Sequence, residues 1–194
     1  MEYSPKYAIG TANFERIRQN GMVYVDKTEY VWHMTHIAAP IFLSRPRRFG
    51  KSLLTDTLAC YFSGRKELFE GLKIAEYEKE WREYPVLKFD LSKCKEGEVT
   101  DILHSISLQL SKYEKQWGVD SPSGKLGDRM EILISAAKAK TGQNVVVLVD
   151  EYDAPLNNNI DKPEEFLSAI RSELRSFFGP IKSCEADIRF AFLT

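Results

Sequence analysis

A glycine, a lysine and a serine in succession, Gly50-Lys51-Ser52, follow a short apolar run and open an amphipathic segment. In a loop that joins a strand to a helix, backbone N–H groups point at a bound phosphate, and a glycine lets the backbone approach it closely. The Lys51 ammonium would then reach the β- and γ-phosphates of a nucleotide, and the Ser52 hydroxyl would ligate Mg²⁺. The pattern therefore predicts a phosphate-binding loop.

This loop departs from the common pattern, and it is strongly basic. The first glycine of G-x-x-x-x-G-K-[ST] falls on Arg45, whose side chain must point away from the phosphates unless the loop takes another path. A polar turn before a capped helix would give the same three letters, so the motif alone leaves that alternative open. The cluster of cations favours an anion site, either for a nucleotide or for a nucleic-acid backbone. Nucleotide contacts are predicted for Arg47, Arg48, Phe49, Gly50, Lys51, Ser52 and Leu53.

Two acids follow the most apolar stretch of the chain. Residues 145–149 are Val-Val-Val-Leu-Val, which is typical of a parallel strand buried on both faces, and Asp150-Glu151 come directly after them. At the carboxyl end of such a strand, Asp150 would hold Mg²⁺ and Glu151 would polarise an attacking water. Acids also occur at the ends of strands simply because the chain meets solvent there. The acidic pair therefore indicates a functional site only in combination with the Gly50-Lys51-Ser52 loop. We predict Lys51 and Glu151 as catalytic residues and Ser52 and Asp150 as metal ligands.

Hydrophobic periodicity predicts the elements that must position these groups. Strands are expected at 40–44, 86–91, 145–149 and 188–194, and helices at 51–62, 98–117, 128–140 and after Pro163. Asp26, with Glu29 three residues later, has the pattern of a capping box that opens one more helix. Strands that alternate with helices indicate an α/β fold with a parallel sheet.

The order of the motifs narrows the fold class to a three-layer P-loop NTPase with a mostly parallel sheet. A strand at 86–91 lies between the two motif strands in sequence, and a glutamate follows the strand-end aspartate, which favours the additional-strand type. In that type the strand after the acidic one inserts between the two motif strands, so Thr194 would stand near the γ-phosphate. Because no closing helix follows 188–194, we expect a core truncated at the C-terminus. The predicted domains are an N-terminal helical segment packed on the core, 1–39, and an incomplete P-loop ATPase core, 40–194.

Composition excludes several classes of protein. The chain is 43% hydrophobic and 28% charged, the balance of a globular domain rather than of a disordered one. With 27 Lys+Arg against 28 Asp+Glu, a globally basic nucleic-acid binder is not indicated, although a local basic patch stays open. No apolar stretch is long enough to span a membrane, and the N-terminus lacks the apolar region of a signal peptide. The three scattered cysteines predict neither a metal site nor disulfides, so the expected compartment is the cytoplasm.

Three stretches, 24–28, 44–52 and 149–153, resemble the bacterial AAA-ATPase-like family, and the resemblance covers essentially all 194 residues. It explains the missing first glycine as a family feature. It implies ATP as the nucleotide, Lys51 and Ser52 as contacts to nucleotide and Mg²⁺, and Asp150-Glu151 as the Walker B pair. In many members this domain precedes a PD-(D/E)XK nuclease-like domain, which would lie beyond Thr194. The resemblance further suggests that residues 26–28 pack near the base, unless Asp26 is only a helix cap.

The leading hypothesis is a Mg²⁺-dependent ATPase that drives a conformational change in a larger protein, and assembly into a homo-oligomer stays open. The alternative is a nucleic-acid-binding module that uses the basic loop Arg45–Lys51, with nucleotide as a regulator. A third reading, a P-loop kinase for small molecules, is weaker because no lid segment is evident after Ser92. No membrane partner is expected.

Overall fold

A four-stranded sheet, parallel throughout, forms the centre of the molecule in the order β1-β4-β3-β2. The computed structural model describes residues 6–37, 39–46, 48–94, 97–119 and 124–194. The strands are β1 (Ile41–Phe42), β2 (Val86–Asp90), β3 (Val145–Asp150) and β4 (Ile188–Leu193). The last strand therefore lies between the strand before the predicted phosphate loop and the acidic strand, and this predicted order is confirmed.

Helices connect and cover the strands. In chain order they are α1 (Phe14–Gln19), α2 (Thr28–Thr35), α3 (Lys51–Phe62), α4 (Ile74–Tyr77), α5 (Val99–Trp117), α6 (Leu126–Thr141), α7 (Ala154–Asn157), α8 (Glu164–Phe178) and α9 (Pro180–Ser183). Short 3₁₀ turns occur at Lys66–Phe69, Leu91–Lys93 and Glu185–Asp187. Within the described residues, no helix combines the length and the apolar content needed to cross a bilayer.

The core has two parts because helices lie on both faces of the sheet. Alternate residues of a strand point to opposite faces. Val145, Val147 and Val149 accordingly pack with α5, α6 and α8, whereas Val146 and Leu148 pack with α1, α2 and α3. Every residue of β3 is buried, as the apolar run predicted. Full burial of one such aliphatic side chain contributes about 1.5–3 kcal/mol, so this strand is held firmly from both sides.

Several predicted boundaries change in the structure. The helix at 51–62 has the bounds that were predicted, but the strand expected at 40–44 shrinks to two residues. Pro163 is the N-cap of α8 rather than its first residue, and after Gly179 the chain continues directly into α9. The helices α1, α4 and α7 have four to six residues each and were not predicted, because so few residues carry little periodicity.

The predicted capping box at Asp26 and Glu29 is wrong. Helix α2 begins at Thr28, and its N-cap residue makes no side-chain hydrogen bond. One carboxylate oxygen of Asp26 accepts from the backbone N–H and the hydroxyl of Thr28, at 2.9 and 2.7 Å, and the other accepts from the N–H of Lys73, at 2.8 Å. The Thr28 hydroxyl accepts in turn from the N–H of Ile74, at 3.1 Å. This Asp26–Thr28 clamp ties the start of α2 to the chain before α4.

The N-terminal helices attach to α3 through one carboxylate and a shared apolar cluster. Asp56 of α3 accepts from the N–H of Phe14 at 2.7 Å and pairs with the ammonium of Lys88 at 2.5 Å. Phe14 of α1 and Val31 of α2 are almost fully buried in the cluster that contains α3. These contacts hold α1 against α3, while α2 packs on α4 and shares the apolar cluster through Val31. The predicted division between 39 and 40 stays a prediction.

Candidate active site

Two residues of the loop before α3 have a left-handed backbone conformation. Gly50 is the N-cap of α3 with φ +76°, a conformation that glycine adopts without steric cost. Arg48 has φ +69°, which costs a residue with a side chain about 1–3 kcal/mol and occurs preferentially at functional sites. Among the described residues no side chain caps α3, and its first turn contains no acid. The backbone donors at the start of a helix and its dipole favour an anion there. Arg47, predicted as a nucleotide contact, lies outside the described residues.

Lys51 links the loop to the acidic strand. Its ammonium donates to the carbonyl oxygen of Arg45 at 2.9 Å and lies 3.9 Å from Oε1 of Glu151. The Lys51 side chain is only 13% exposed, so the charge is held inside the site rather than in solvent. Two motifs that are remote in sequence therefore meet, because the carboxyl ends of parallel strands share one edge of the sheet.

Asp150, at the end of β3, is a buried carboxylate that the protein leaves incompletely bonded. The residue is 6% exposed, and its Oδ1 atom has no hydrogen-bond partner among the described residues. Burial raises the pKa of this carboxyl, the Ser52 hydroxyl beside it lowers the pKa, and the nearby Asp90 raises it again. An unsatisfied buried polar atom is uncommon and costs free energy, which indicates a ligand-binding position.

Thr194 brings a second polar atom of this kind to the neighbouring strand tip. Its N–H donates to the carbonyl of Val149 at 2.9 Å, and its carbonyl accepts from the N–H of Tyr152 at 3.0 Å. Its hydroxyl is buried without a partner among the described residues, where only four such side-chain atoms occur. Two of the four, on Asp150 and Thr194, thus lie at adjacent strand ends, which is where the sequence predicted the ligand.

Glu151 follows Asp150 in strained backbone. Its φ is +55°, which is uncommon for a residue other than glycine, asparagine or aspartate. Its carbonyl accepts from the N–H of Ala154 at 3.0 Å, so the chain turns sharply into α7. The turn directs the carboxylate toward Lys51 while Asp150 stays buried. Both motifs therefore hold a residue in left-handed backbone at the same edge of the sheet.

Asp90 is a further acid at this edge that the sequence analysis did not single out. It ends β2, and in the sheet register it pairs with Asp150. The amide of Gln109 accepts from its N–H at 2.8 Å and donates to its carbonyl at 3.0 Å, which fixes the strand end. Its side chain accepts from Ser92 and lies close enough to raise the pKa of Asp150. The signal was an acid at the end of a predicted strand, but only the register places it beside Asp150.

Comparison with known proteins agrees with this geometry. Residues 8–194 match a family described as "Predicted AAA-ATPase". The chain belongs to the AAA-ATPase-like family. It is 38% identical over 190 residues to a protein of Azotobacter chroococcum mcd 1 described as "Uncharacterized protein in vnfD 5'region". That match covers 97% of this chain and 37% of the other protein. No solved structure matches the chain. Membership of the AAA-ATPase-like family suggests a nucleotide-binding ATPase.

Beside the loop of this AAA-ATPase-like domain lies an apolar pocket of about 650 Å³. Arg45 and Gly50 line its loop side, and the predicted contacts Phe49 and Leu53 also face it. Phe49 is 62% exposed, so its ring is accessible to a ligand in the pocket. The opposite wall belongs to the N-terminal segment and α2, and includes Tyr24, Lys27, Tyr30, His33 and Met34. A mostly apolar pocket with a few polar groups is typical of ligand sites.

The donor set of this AAA-ATPase-like site fits Mg²⁺. Magnesium prefers hard oxygen ligands and keeps several positions for water and phosphate oxygens. The Ser52 hydroxyl and the incompletely bonded Asp150 carboxylate supply two such oxygens next to each other. No group of three or more His, Cys, Asp or Glu in the described part of the chain could hold a metal. Ser52 and Asp150 would therefore share the ion with a bound phosphate.

Proposed function

We propose that this domain binds ATP with Mg²⁺ and hydrolyses it slowly, and that hydrolysis drives a conformational change in a larger protein. The observation that carries the proposal is the approach of Lys51 to Glu151, at 3.9 Å, across the tips of two strands. A lysine from a phosphate loop and acids at a buried strand end are the groups that phosphoryl transfer to water requires.

Each residue has a distinct role in this proposal. Lys51 and the backbone N–H groups at the start of α3 stabilise phosphate charge, and Ser52 and Asp150 hold the metal. Glu151 accepts a hydrogen bond from the attacking water and orients it. The Thr194 hydroxyl donates to the terminal phosphate or to that water. The order β1-β4-β3-β2 and the helices on both faces support assignment to the three-layer, additional-strand P-loop type.

The apolar pocket supports an adenine nucleotide, with its base between the N-terminal segment and α3. The pocket adjoins Gly50, so a nucleotide whose phosphates lie on the loop extends into it. The rings of Tyr24 and Tyr30 offer flat surfaces for the base. The Asp26–Thr28 clamp fixes the wall that carries them. The 24–28 segment thereby gains a role in the nucleotide pocket in place of the predicted helix cap.

The proposal needs a further region or a partner that receives the conformational change. Because the chain spans 37% of the relative's length, other regions of such a protein would receive the conformational change. A nuclease-like domain is one candidate, through the family resemblance alone. A neighbouring copy of the chain is a second candidate. Such a copy would also supply an arginine to the site, since arginines stabilise charge in phosphoryl transfer.

The test uses two variants with different expected losses. Lys51→Ala should abolish MgATP binding, measured by calorimetry, because the loop loses its phosphate cation. Glu151→Gln should keep binding and lose turnover, by about 10²-fold or more, because water is no longer activated. Lys182→Ala, an exposed lysine of α9, is the matched control and should change neither property. Tight ATP binding by Lys51→Ala would contradict the proposal.

A second candidate function, nucleic-acid binding, is favoured by the exposed arginines of the loop. Arg45 and Arg48 are exposed, and neither forms a salt bridge within the described residues. An Arg45→Ala/Arg48→Ala variant should bind a DNA duplex more weakly, and its affinity should depend less on salt. Competition by ATP would place both ligands on one loop. DNA affinity that does not change with salt would exclude this function.

A further inference from the structure

A second pocket, lined largely by aromatic rings, lies at the opposite edge of the sheet from the phosphate loop. Its volume is about 360 Å³, near the lower end of the range for ligand pockets. The ends of α2 and α3, the segment 77–84 and the start of β4 surround it. We call it the aromatic pocket. Six of its rings belong to Trp32, Tyr61, Phe62, Tyr77, Trp81 and Tyr84.

An irregularity in the sheet places a cationic side chain in this pocket. Val145 pairs with Ile188, but the next residue, Val146, pairs with Phe190. Arg189 is thus an extra residue on β4, opposite no residue of β3. Extra residues of this kind redirect a side chain away from the regular alternation of a strand. The Arg189 side chain lines the aromatic pocket as a result.

The Arg189 guanidinium has donors to spare. One N–H donates to the carbonyl of Thr35 at 3.0 Å. The guanidinium carbon lies 6.0 Å from the ring centroid of Phe62 and 5.8 Å from that of Tyr84, within the range of cation–π attraction. A guanidinium carries five N–H donors, and within the described residues no carboxylate forms a salt bridge with this one. Its charge is therefore oriented but not neutralised.

The acids that line the same pocket already have hydrogen-bond or ion-pair partners. The Glu78 carboxylate accepts from the Tyr61 hydroxyl and from the N–H of Glu80, the latter at 2.8 Å. Glu80 pairs with the guanidinium of Arg82 at 2.6 Å. The bonds to Glu78 hold the turn that forms one wall of the pocket. Within the described residues, two cations of the lining have no acidic partner: Lys79, which is exposed and donates to the carbonyl of Ala75 at 3.3 Å, and Arg189, which is partly buried against the rings.

Trp81 forms part of the wall of the aromatic pocket, and its backbone is strained. Its φ is +47°, a true outlier for a bulky residue. The ring packs 5.2 Å from that of Phe69 and 5.9 Å from that of Tyr61, between centroids, and these contacts hold the conformation. The N–H of Tyr84 donates to the carbonyl of Phe62 at 2.7 Å and joins this segment to the end of α3. Strain that the surroundings maintain is typical of sites that clamp a ligand.

We propose that the aromatic pocket binds a small aromatic carboxylate, whose ring stacks against the pocket rings and whose carboxylate accepts from Arg189. A single guanidinium matches a single carboxylate in charge and in its two-pronged geometry. A phosphate fits less well, because α2 and α3 meet the pocket at their C-terminal ends, whose dipoles disfavour anions and oppose a doubly charged phosphate more than a singly charged carboxylate. The pocket lies apart from the phosphate loop, so the proposal does not depend on ATP binding.

The test reads tryptophan fluorescence in the full chain. Trp117→Phe removes the tryptophan outside the pocket, so that Trp32 and Trp81 report alone. Phenylacetate should cause a saturable change in fluorescence, and phenylacetamide should bind about tenfold more weakly, because a charged hydrogen bond to arginine is lost. Saturating MgATP should not displace phenylacetate. No saturable change, equal affinity for the amide, displacement by MgATP, or tighter binding of phenyl phosphate would each overturn the proposal.

Variants assign the effect to Arg189. Arg189→Gln should lower the affinity for phenylacetate about tenfold and leave that for phenylacetamide unchanged. Arg175→Gln, which removes an exposed arginine of α8 on the other face of the sheet, is the matched control and should change neither. Circular dichroism checks the fold of each variant. If Arg189→Gln does not fold, Arg189→Lys replaces it. This variant keeps the positive charge, so it should still bind phenylacetate more tightly than phenylacetamide. Added salt should weaken that preference, which would support the role of charge. An unaltered affinity in folded Arg189→Gln would overturn the assignment.

Discussion

At the scale of single residues, the site concentrates polar groups that the fold leaves incompletely bonded. Asp150 and Thr194 each carry a buried oxygen without a partner among the described residues, and Arg48 and Glu151 hold left-handed backbone. Each of these features costs stability. Proteins keep such costs where binding or catalysis requires the arrangement. Ligand binding would recover part of the cost, so stability and function should oppose each other at Asp150.

Asp150→Asn should raise the free energy of unfolding at neutral pH by about 1–3 kcal/mol, because it removes a buried charge without a full set of partners. Burial raises the pKa of Asp150, so the folded state holds its proton more tightly than the unfolded state does. The aspartate therefore costs stability as pH rises above about 4, the value in an unfolded chain, and the advantage of asparagine should vanish below that pH. Urea unfolding at two pH values measures both effects.

Asp161→Asn, an exposed carboxylate, serves as the control and should change stability by less than about 0.5 kcal/mol. MgATP should reverse the ranking, since a charged carboxylate holds the metal more strongly than a neutral amide does. An Asp150→Asn variant that is less stable than the wild type at neutral pH, without ligand, would contradict this account of the site.

At the scale of elements, α2 separates the two pockets. Tyr30, His33 and Met34 line the apolar pocket beside the phosphate loop, whereas Trp32 and His36 line the aromatic pocket. This division follows from helical spacing, since residues three and four apart share one face. The Asp26–Thr28 clamp fixes the start of this helix and thereby one wall of each pocket.

Thr28→Val should destabilise the protein more than Thr28→Ser. Thr28 is fully buried, and its hydroxyl both donates to Asp26 and accepts from the N–H of Ile74. Valine removes both bonds, at a cost of about 1–3 kcal/mol, while serine keeps them and loses only one methyl group, worth about 0.8 kcal/mol. Urea unfolding measures the order. If serine proved the more costly change, methyl packing rather than the clamp would position α2.

Long, periodic elements could be predicted from the sequence, and tertiary pairings could not. The bounds of α3 were predicted because its apolar face is regular and Gly64 stops it, and β3 was predicted because its run is wholly apolar. Asp26 was misinterpreted because its second partner, Lys73, is remote along the chain. Asp90 was not singled out because it approaches Asp150 only through sheet register. The approach of Lys51 to Glu151 and of Ser52 to Asp150 could be predicted because strand–loop–helix order places these residues at one edge, while their roles stay predictions.

At the scale of the whole molecule, the N-terminal helices are part of one packed face rather than an appendage. Phe14 and Val31 share a buried cluster with α3 and with the inner residues of β3 and β4. The carboxylate of Asp56 joins α1, α3 and β2 through Phe14 and Lys88. Removal of α1 and α2 would therefore uncover the apolar side of α3 and one wall of both pockets.

In the full chain Leu58 and Phe62 are fully buried. A chain without residues 1–39 would expose both side chains to solvent, so it should lose cooperative unfolding. Urea titration of the shortened and full chains by circular dichroism measures this, and binding of a hydrophobic dye should rise with the exposed surface. A cooperative transition of undiminished stability would show instead that the predicted boundary between 39 and 40 separates independent units.

The pairing of β1 with β4 has a consequence for how the chain reaches this fold. Ile41 pairs with Phe192 and Phe42 with Leu193, so the edge that carries the phosphate loop closes against a strand made much later. Contacts between segments so far apart form slowly, because a long loop must close before they gain anything. During synthesis on the ribosome, the loop would therefore acquire its final shape only after β4 has emerged. Until then the apolar flank of α3 would stay exposed, and such transiently exposed surface is prone to aggregation.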